Sequence, residues 1–212
     1  INKSLSKKLE KIIPFFKFSY FKKIIRINSI YYDDMLLEKK KNVKKNIVVI
    51  DTGIGHKDNI QKEPDNYMIT NDYIINYYLK TLKTIQKFSQ KEKCKIYFCK
   101  HPKTYYPKGC FKNTKNIKFN YDADNYIWTA KHVFFTGGSS MFNKAIILKK
   151  NITVLISQET LRFQMRLINS IDKIFKLNIY NLDNKTKKNN KILINQYNKK
   201  KYEKFISQNL IF

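Results

Sequence analysis

Residues 132–141 read HVFFTGGSSM, and this stretch decides the fold. His132 to Thr136 form a short, mostly apolar strand. Gly137 and Gly138 then turn the chain, and Ser139 and Ser140 stand where a helix over Met141 to Lys150 should begin. A strand, a glycine turn and a helix start form a natural phosphate cradle: backbone N–H groups converge, the helix dipole is positive and hydroxyls add donors. Upstream, Ile96 to Lys103 (IYFCKHPK) repeats the theme, with an apolar strand ending in His101-Pro102 between Lys100 and Lys103. The two loops are expected to face one anionic ligand.

Working outward, Ile47 to Asp51 (IVVID) is a continuous apolar run of the kind buried in a parallel sheet. It leads into a loop carrying Gly53, Gly55 and His56, where small residues permit close backbone approach to a ligand. Ile74, Ile75, Tyr78, Leu82, Ile85 and Phe88 recur at helical spacing within a helix expected from Tyr67 to Ser89, with Asn71 as a candidate cap. Strands are expected at Lys95 to Cys99, Ile117 to Phe119 and Ile152 to Ser157. Further helices are expected at Ala123 to Ala130, Glu159 to Phe175 and near Tyr197 to Leu210. This alternation predicts an α/β, Rossmann-like, mostly parallel sheet with helices on both faces. Ligands of such sheets bind beyond the carboxyl ends of the strands. Gly53, Gly55, His101, Gly137, Gly138, Ser139 and Ser140 all fall just past such ends.

The formal charge is +27, from 43 basic and 16 acidic residues. Lysine is inflated together with Asn, Ile, Tyr and Phe, the pattern of an AT-rich coding sequence. The charge is therefore read as spread over the surface, and no specific nucleic-acid partner is expected. Three cysteines, an odd number, argue against a disulfide framework and for a reducing compartment. No apolar run approaches the ~20 residues that span a bilayer. Residues 1–26 alternate lysines with Leu, Ile, Phe and Tyr, with an interfacial membrane anchor as one reading, and residues 1–42 together are read as the remnant of a preceding domain or a linker. Residues 43–212 are read as the folded domain, and the start at Ile1 leaves the chain readable either as a fragment or as a whole.

His101 can donate to a phosphate oxygen from one ring nitrogen while a neighbour holds the other. Pro102 fixes the backbone after it, and Lys100 and Lys103 add positive charge. Ser139 and Ser140 are ordinary helix caps or phosphate ligands, and the glycines before them favour a ligand. Cys94, Cys99, His101 and Cys110 do not read as a zinc site. Cys94 and Cys99 should point to opposite faces of one strand, and no C-x-x-C occurs. The acidic pairs Asp33-Asp34 and Asp122/Asp124 show no spacing that prefers catalysis over solvation or capping. His56 is a candidate loop contact, and His132 reads as structural.

A strand ending in His-Pro, followed by a strand ending in Gly-Gly-Ser-Ser before a helix, resembles the carboxy-terminal half of GT-B glycosyltransferases that use CMP-sugars. Bacterial sialyltransferases and polysialyltransferases look most similar. The resemblance covers roughly residues 44–177, and its sharp part is about a dozen positions. It implies a catalytic His101 that contacts the nucleotide phosphate, with substrate-binding Ser139 and Ser140, and transfer by inversion without a metal or other cofactor. The implied partners are a CMP-linked nucleotide-sugar donor and a glycan or glycolipid acceptor of a bacterial surface. The implied location is the cytoplasm, with peripheral contact to the inner membrane. The same layout is similar to that of Kdo transferases and of teichoic-acid polymerases that use CDP-glycerol. The acidic pair Asp33-Asp34 departs from the family pattern, since Met35 and not glycine follows it, and residues 1–40 are too few for an acceptor domain. This chain is therefore expected to bind donor without catalysing transfer alone.

Overall fold

A computed structural model describes residues 46–56, 58, 69–112, 114–175, 177–183, 200, 202–204 and 207. The readings of residues 1–42, including Asp33-Asp34, lie outside the described residues, as does most of the last expected helix.

Strand β1 (Asn46–Ile50) is buried along its whole length. Its side chains divide by parity, Ile47 and Val49 entering one core and Val48 and Ile50 the other. A strand needs two apolar faces only when both sides of the sheet are covered. Helix α1 (Asn71–Glu92) covers the first side with Ile74, Tyr78, Leu82, Ile85 and Phe88. Thr70, and not Asn71, caps it: Thr70 is extended, and its hydroxyl oxygen accepts the Tyr73 N–H at 3.2 Å, whereas Asn71 already lies in the first turn.

Strands β2 (Lys95–Cys99) and β3 (Ile117–Asn120) follow, joined by a turn-rich segment without a helix. Helix α2 (Ala123–Thr129) leads to β4 (His132–Phe135), helix α3 (Met141–Ile147) to β5 (Asn151–Ile156), and helix α4 (Arg162–Phe175) to β6 (Asn178–Asn181). Ile127 and Trp128 of α2, Phe142, Ala145 and Ile146 of α3 and Ile168 of α4 pack into the second core. Helices thus lie on both faces. Tyr202, among the helical residues near the carboxyl end, is buried in that second core, and its hydroxyl donates to the Lys150 carbonyl at 3.4 Å.

The six strands lie in the order β3-β2-β1-β4-β5-β6, and every pairing is parallel. This is the doubly wound Rossmann-like arrangement. From β1 the chain steps outward through β2 to β3, crosses back to β4 and continues outward the other way. The reversal falls between β1 and β4, and ligands of doubly wound sheets bind beyond the carboxyl ends of such strands.

Several boundaries differ from the sequence reading, and one strand is missing from it. Helix α3 stops at Ile147 because Lys149 turns left-handed (φ 53°) and the Lys150 N–H folds back to the Ala145 carbonyl at 2.9 Å. Strand β6 was not legible: its four residues, NIYN, are half-buried at the sheet edge and offer no apolar run.

Candidate functional site

At the reversal, the chain leaves β1 through Asp51, a carboxylate only 4% exposed. Burying a charge requires compensating donors, and the fold supplies four. The Gly53 N–H and the Thr136 hydroxyl reach Oδ1 at 3.2 and 3.0 Å, the Tyr106 hydroxyl reaches Oδ2 at 2.5 Å, and the Tyr78 hydroxyl lies 2.9–3.0 Å from both oxygens. Burial, reinforced by the Asp51 charge, holds the Tyr78 and Tyr106 hydroxyls well above the usual phenol range, so both remain donors. Thr136 also accepts the Thr52 N–H at 2.9 Å, which ties the β1 and β4 loops together across the crevice.

His101 sits just past β2, half-buried beside this cluster. Its backbone N–H donates to the Tyr106 hydroxyl oxygen at 2.8 Å, and its ring Nδ1 accepts the Lys103 N–H at 3.4 Å. That second bond leaves the neutral ring's hydrogen on Nε2, the tautomer that can donate to an anionic oxygen. Burial lowers the His101 pKa, and the Asp51 charge opposes that shift, while His56 and Lys103 add to it. His56 packs edge-on against His101, with ring centroids 5.2 Å apart, and its Nδ1 accepts the Asp58 N–H.

The glycines close the gap between neighbouring loops. Gly53 is left-handed (φ 74°), and a Cβ there would lie 2.7 Å from the Thr104 hydroxyl and 3.2 Å from the His101 ring. At Gly55 the space a side chain would need belongs to the Tyr105 carbonyl. A Cβ on Gly137 would meet the Thr52 hydroxyl at 2.5 Å and Gln164 at 2.7 Å, and one on Gly138 would meet Leu167 at 2.5 Å. The glycine pair therefore admits α4 close against the β4 loop, and Gln164 Nε2 donates to the Thr52 hydroxyl at 3.1 Å.

Beyond the glycines, Ser139 Oγ accepts the Met141 N–H at 3.2 Å, whereas Ser140 is exposed and makes no side-chain cap bond. Pro102 is exposed in the turn after His101. The Lys100 ammonium lies among aromatic rings, 4.5 Å from the Phe111 ring centre, 4.9 Å from Phe119 and 5.4 Å from Tyr106. The structure thus gathers Gly53, Gly55 and His101 on one side of Asp51, and Gly137 on the other through Thr52 and Thr136.

The remaining candidates have local partners. Asp122 caps α2 through the Asn125 N–H at 3.0 Å, and Asp124 pairs with Lys144 at 2.6 Å. Cys94 and Cys110 pack on the first core and Cys99 on the second. Among the described residues no three His, Cys, Asp or Glu side chains gather as a metal site. None of the described helices is long and apolar enough to cross a membrane.

Sequence reasoning assigned no role to Asp51, Tyr78, Tyr106, Thr136 or Gln164. One signal was available: a carboxylate directly after the buried run IVVI has to find donors. No family model matches the chain, and no curated protein or solved structure matches it significantly.

Proposed function

We propose that the chain is the nucleotide-sugar-binding domain of an inverting GT-B glycosyltransferase that transfers sialic acid or a related sugar from a CMP-linked donor to a bacterial surface glycan. One observation carries the reading. The His-Pro loop and the β1 loop meet at the switch point of a doubly wound sheet, with the His101 ring against Gly53 and the Gly-Gly-Ser-Ser loop tied in from the other side. Doubly wound sheets bind nucleotides in this crevice.

In the proposed reaction an acceptor hydroxyl attacks the anomeric carbon, the bond to the phosphate oxygen breaks, and CMP leaves. The Nε2–H of His101 donates to the phosphate as its negative charge develops. The exposed Ser140 hydroxyl is a second donor within the same loop system. The acceptor and its general base belong to another part of the enzyme.

Thermal stability of the 212-residue chain with CMP, CDP-glycerol, CDP, UDP, GDP and ADP tests the proposal, in wild type and His101→Ala. CMP at ~100 times its dissociation constant should add about 2.7 kcal/mol, and the gain should vanish in the variant. Selective stabilisation by CDP-glycerol would keep the site and change the donor to that of a glycerophosphotransferase. No response to any nucleotide, together with binding to DNA or anionic lipid that falls steeply with salt, would overturn the glycosyltransferase reading.

A further inference from the structure

The buried carboxylate at the switch point reaches the His-Pro loop through one side chain. The Tyr106 hydroxyl donates its single hydrogen to Asp51 Oδ2 at 2.5 Å and accepts the His101 backbone N–H at 2.8 Å on its oxygen. Asp51 is fixed in turn by the Gly53 N–H and by the Tyr78 and Thr136 hydroxyls. The path from β1 to the His101 backbone is therefore two hydrogen bonds long, and both ends are anchored in the sheet.

We infer that Asp51 and Tyr106 are positioning residues for His101, mooring the β2 loop to the switch point so that the imidazole is held where a ligand's phosphate would lie. The inference rests on the proposed role of His101 in binding a nucleotide phosphate, but the mooring can be tested without a ligand. Several groups face His101. From the β1 loop they are Asp51 and His56, the latter beside Asp58; from its own loop they are Lys103 and Tyr106. The Lys100 ammonium is turned onto the Tyr106, Phe111 and Phe119 rings instead.

Only three histidines occur in the chain, so their ring resonances can be followed individually by NMR. The experiment measures the His101 titration midpoint in wild type, Asp51→Asn and Tyr106→Phe, and then CMP affinity in each. Asp51→Asn removes the negative charge that supports the imidazolium while its amide oxygen can still accept the Tyr106 hydroxyl, so the midpoint should move to lower pH. Tyr106→Phe keeps that charge and cuts the tether, so the loop should gain solvent and the midpoint should rise toward the ordinary value, ~6.5. Opposite shifts from two near-isosteric substitutions would not come from general loosening of the fold. CMP affinity should fall about tenfold in Tyr106→Phe, as expected for losing one anchoring bond at ~1.4 kcal/mol.

An unchanged midpoint in both variants, or shifts in the same direction, would overturn the mooring. If Asp51→Asn does not fold, a rise at His101 in Tyr106→Phe with the His132 midpoint unmoved decides, because general loosening would raise both. Failure of CMP to bind wild type would instead overturn the proposed function, and the titration shifts would still decide the mooring.

Discussion

Two histidines stand at opposite ends of the parallel sheet and have opposite surroundings. His132 begins β4 at the amino end, 3% exposed, with Phe134 at 4.6 Å and Phe88 at 5.3 Å between ring centres. Its Nε2 shares a hydrogen bond with Thr153 at 2.8 Å, its Nδ1 has no partner among the described residues, and burial depresses its pKa to about 3. His101 follows β2 at the carboxyl end, half-buried, with a carboxylate nearby and the hydrogen of its neutral ring on Nε2. Where the strands begin, the fold seals an imidazole among aromatics. At the strand ends, loops leave one half-buried beside a carboxylate. A parallel sheet is thus chemically polar along its strands, and its residues must be judged by which end they occupy.

The largest effect should come from opening the sealed end. Phe134→Ala should cost about 3–5 kcal/mol in chemical denaturation, the usual range for a fully buried phenylalanine. The His101 midpoint should stay unchanged if the two ends are independent. A shift at His101 would show the comparison to be too sharp.

Acid should also act through the sealed end. A folded pKa of about 3 for His132 lies below the unfolded value, so between them the unfolded chain binds more protons and stability rises with pH. Stability is therefore lost as pH falls from ~6.5 toward 3, by at most about 1.4 kcal/mol per unit from this residue. His132→Gln should flatten that slope in denaturation curves recorded at several pH values. An unaltered slope would place the titrating group elsewhere.

A smaller change probes the carboxyl end. Gly137→Ala forces a methyl against Thr52 and Gln164 and should cost about 1–3 kcal/mol. Adding Gln164→Ala should recover part of the loss, minus the Gln164 bond to Thr52. If the single variant is as stable as wild type but loses CMP binding, the glycine serves the ligand and not the packing of α4. The smallest effect should come from Lys100→Met, which keeps the stem over the rings and removes the charge. A loss of about 1 kcal/mol or less is expected, with CMP affinity preserved because the ammonium is engaged by the Phe111 and Phe119 rings. A marked loss of affinity would return Lys100 to the site.

Much of the sheet was legible because its strands are short continuous apolar runs separated by helices with a clear stripe. Ile47 to Ile50 and His132 to Phe135 could only be buried on both faces. Strand β6 escaped because half-buried Asn, Ile, Asn and Tyr carry no run. In the site, His101 and the glycines stood out as residue types that punctuate strand ends. The network beneath them did not stand out. Tyr78 contributes its ring to the apolar stripe of α1, and periodicity is silent on where its hydroxyl goes. Tyr106 belongs to a turn-rich segment whose path no local rule fixes. Gly137 and Gly138 were read as room for a ligand, and the structure gives that room to Thr52, Gln164 and Leu167. The reason is that spacing cannot tell a close ligand from a close helix.

The most direct measurement follows the ring signals of His101 and His132 together while CMP is added to the wild-type chain. The expected result is a saturable shift at His101 with His132 unmoved, and no shift with the same concentration of sulfate. A His101 signal that ignores CMP, or one that moves no more than His132, would contradict a nucleotide site at the carboxyl end of the sheet.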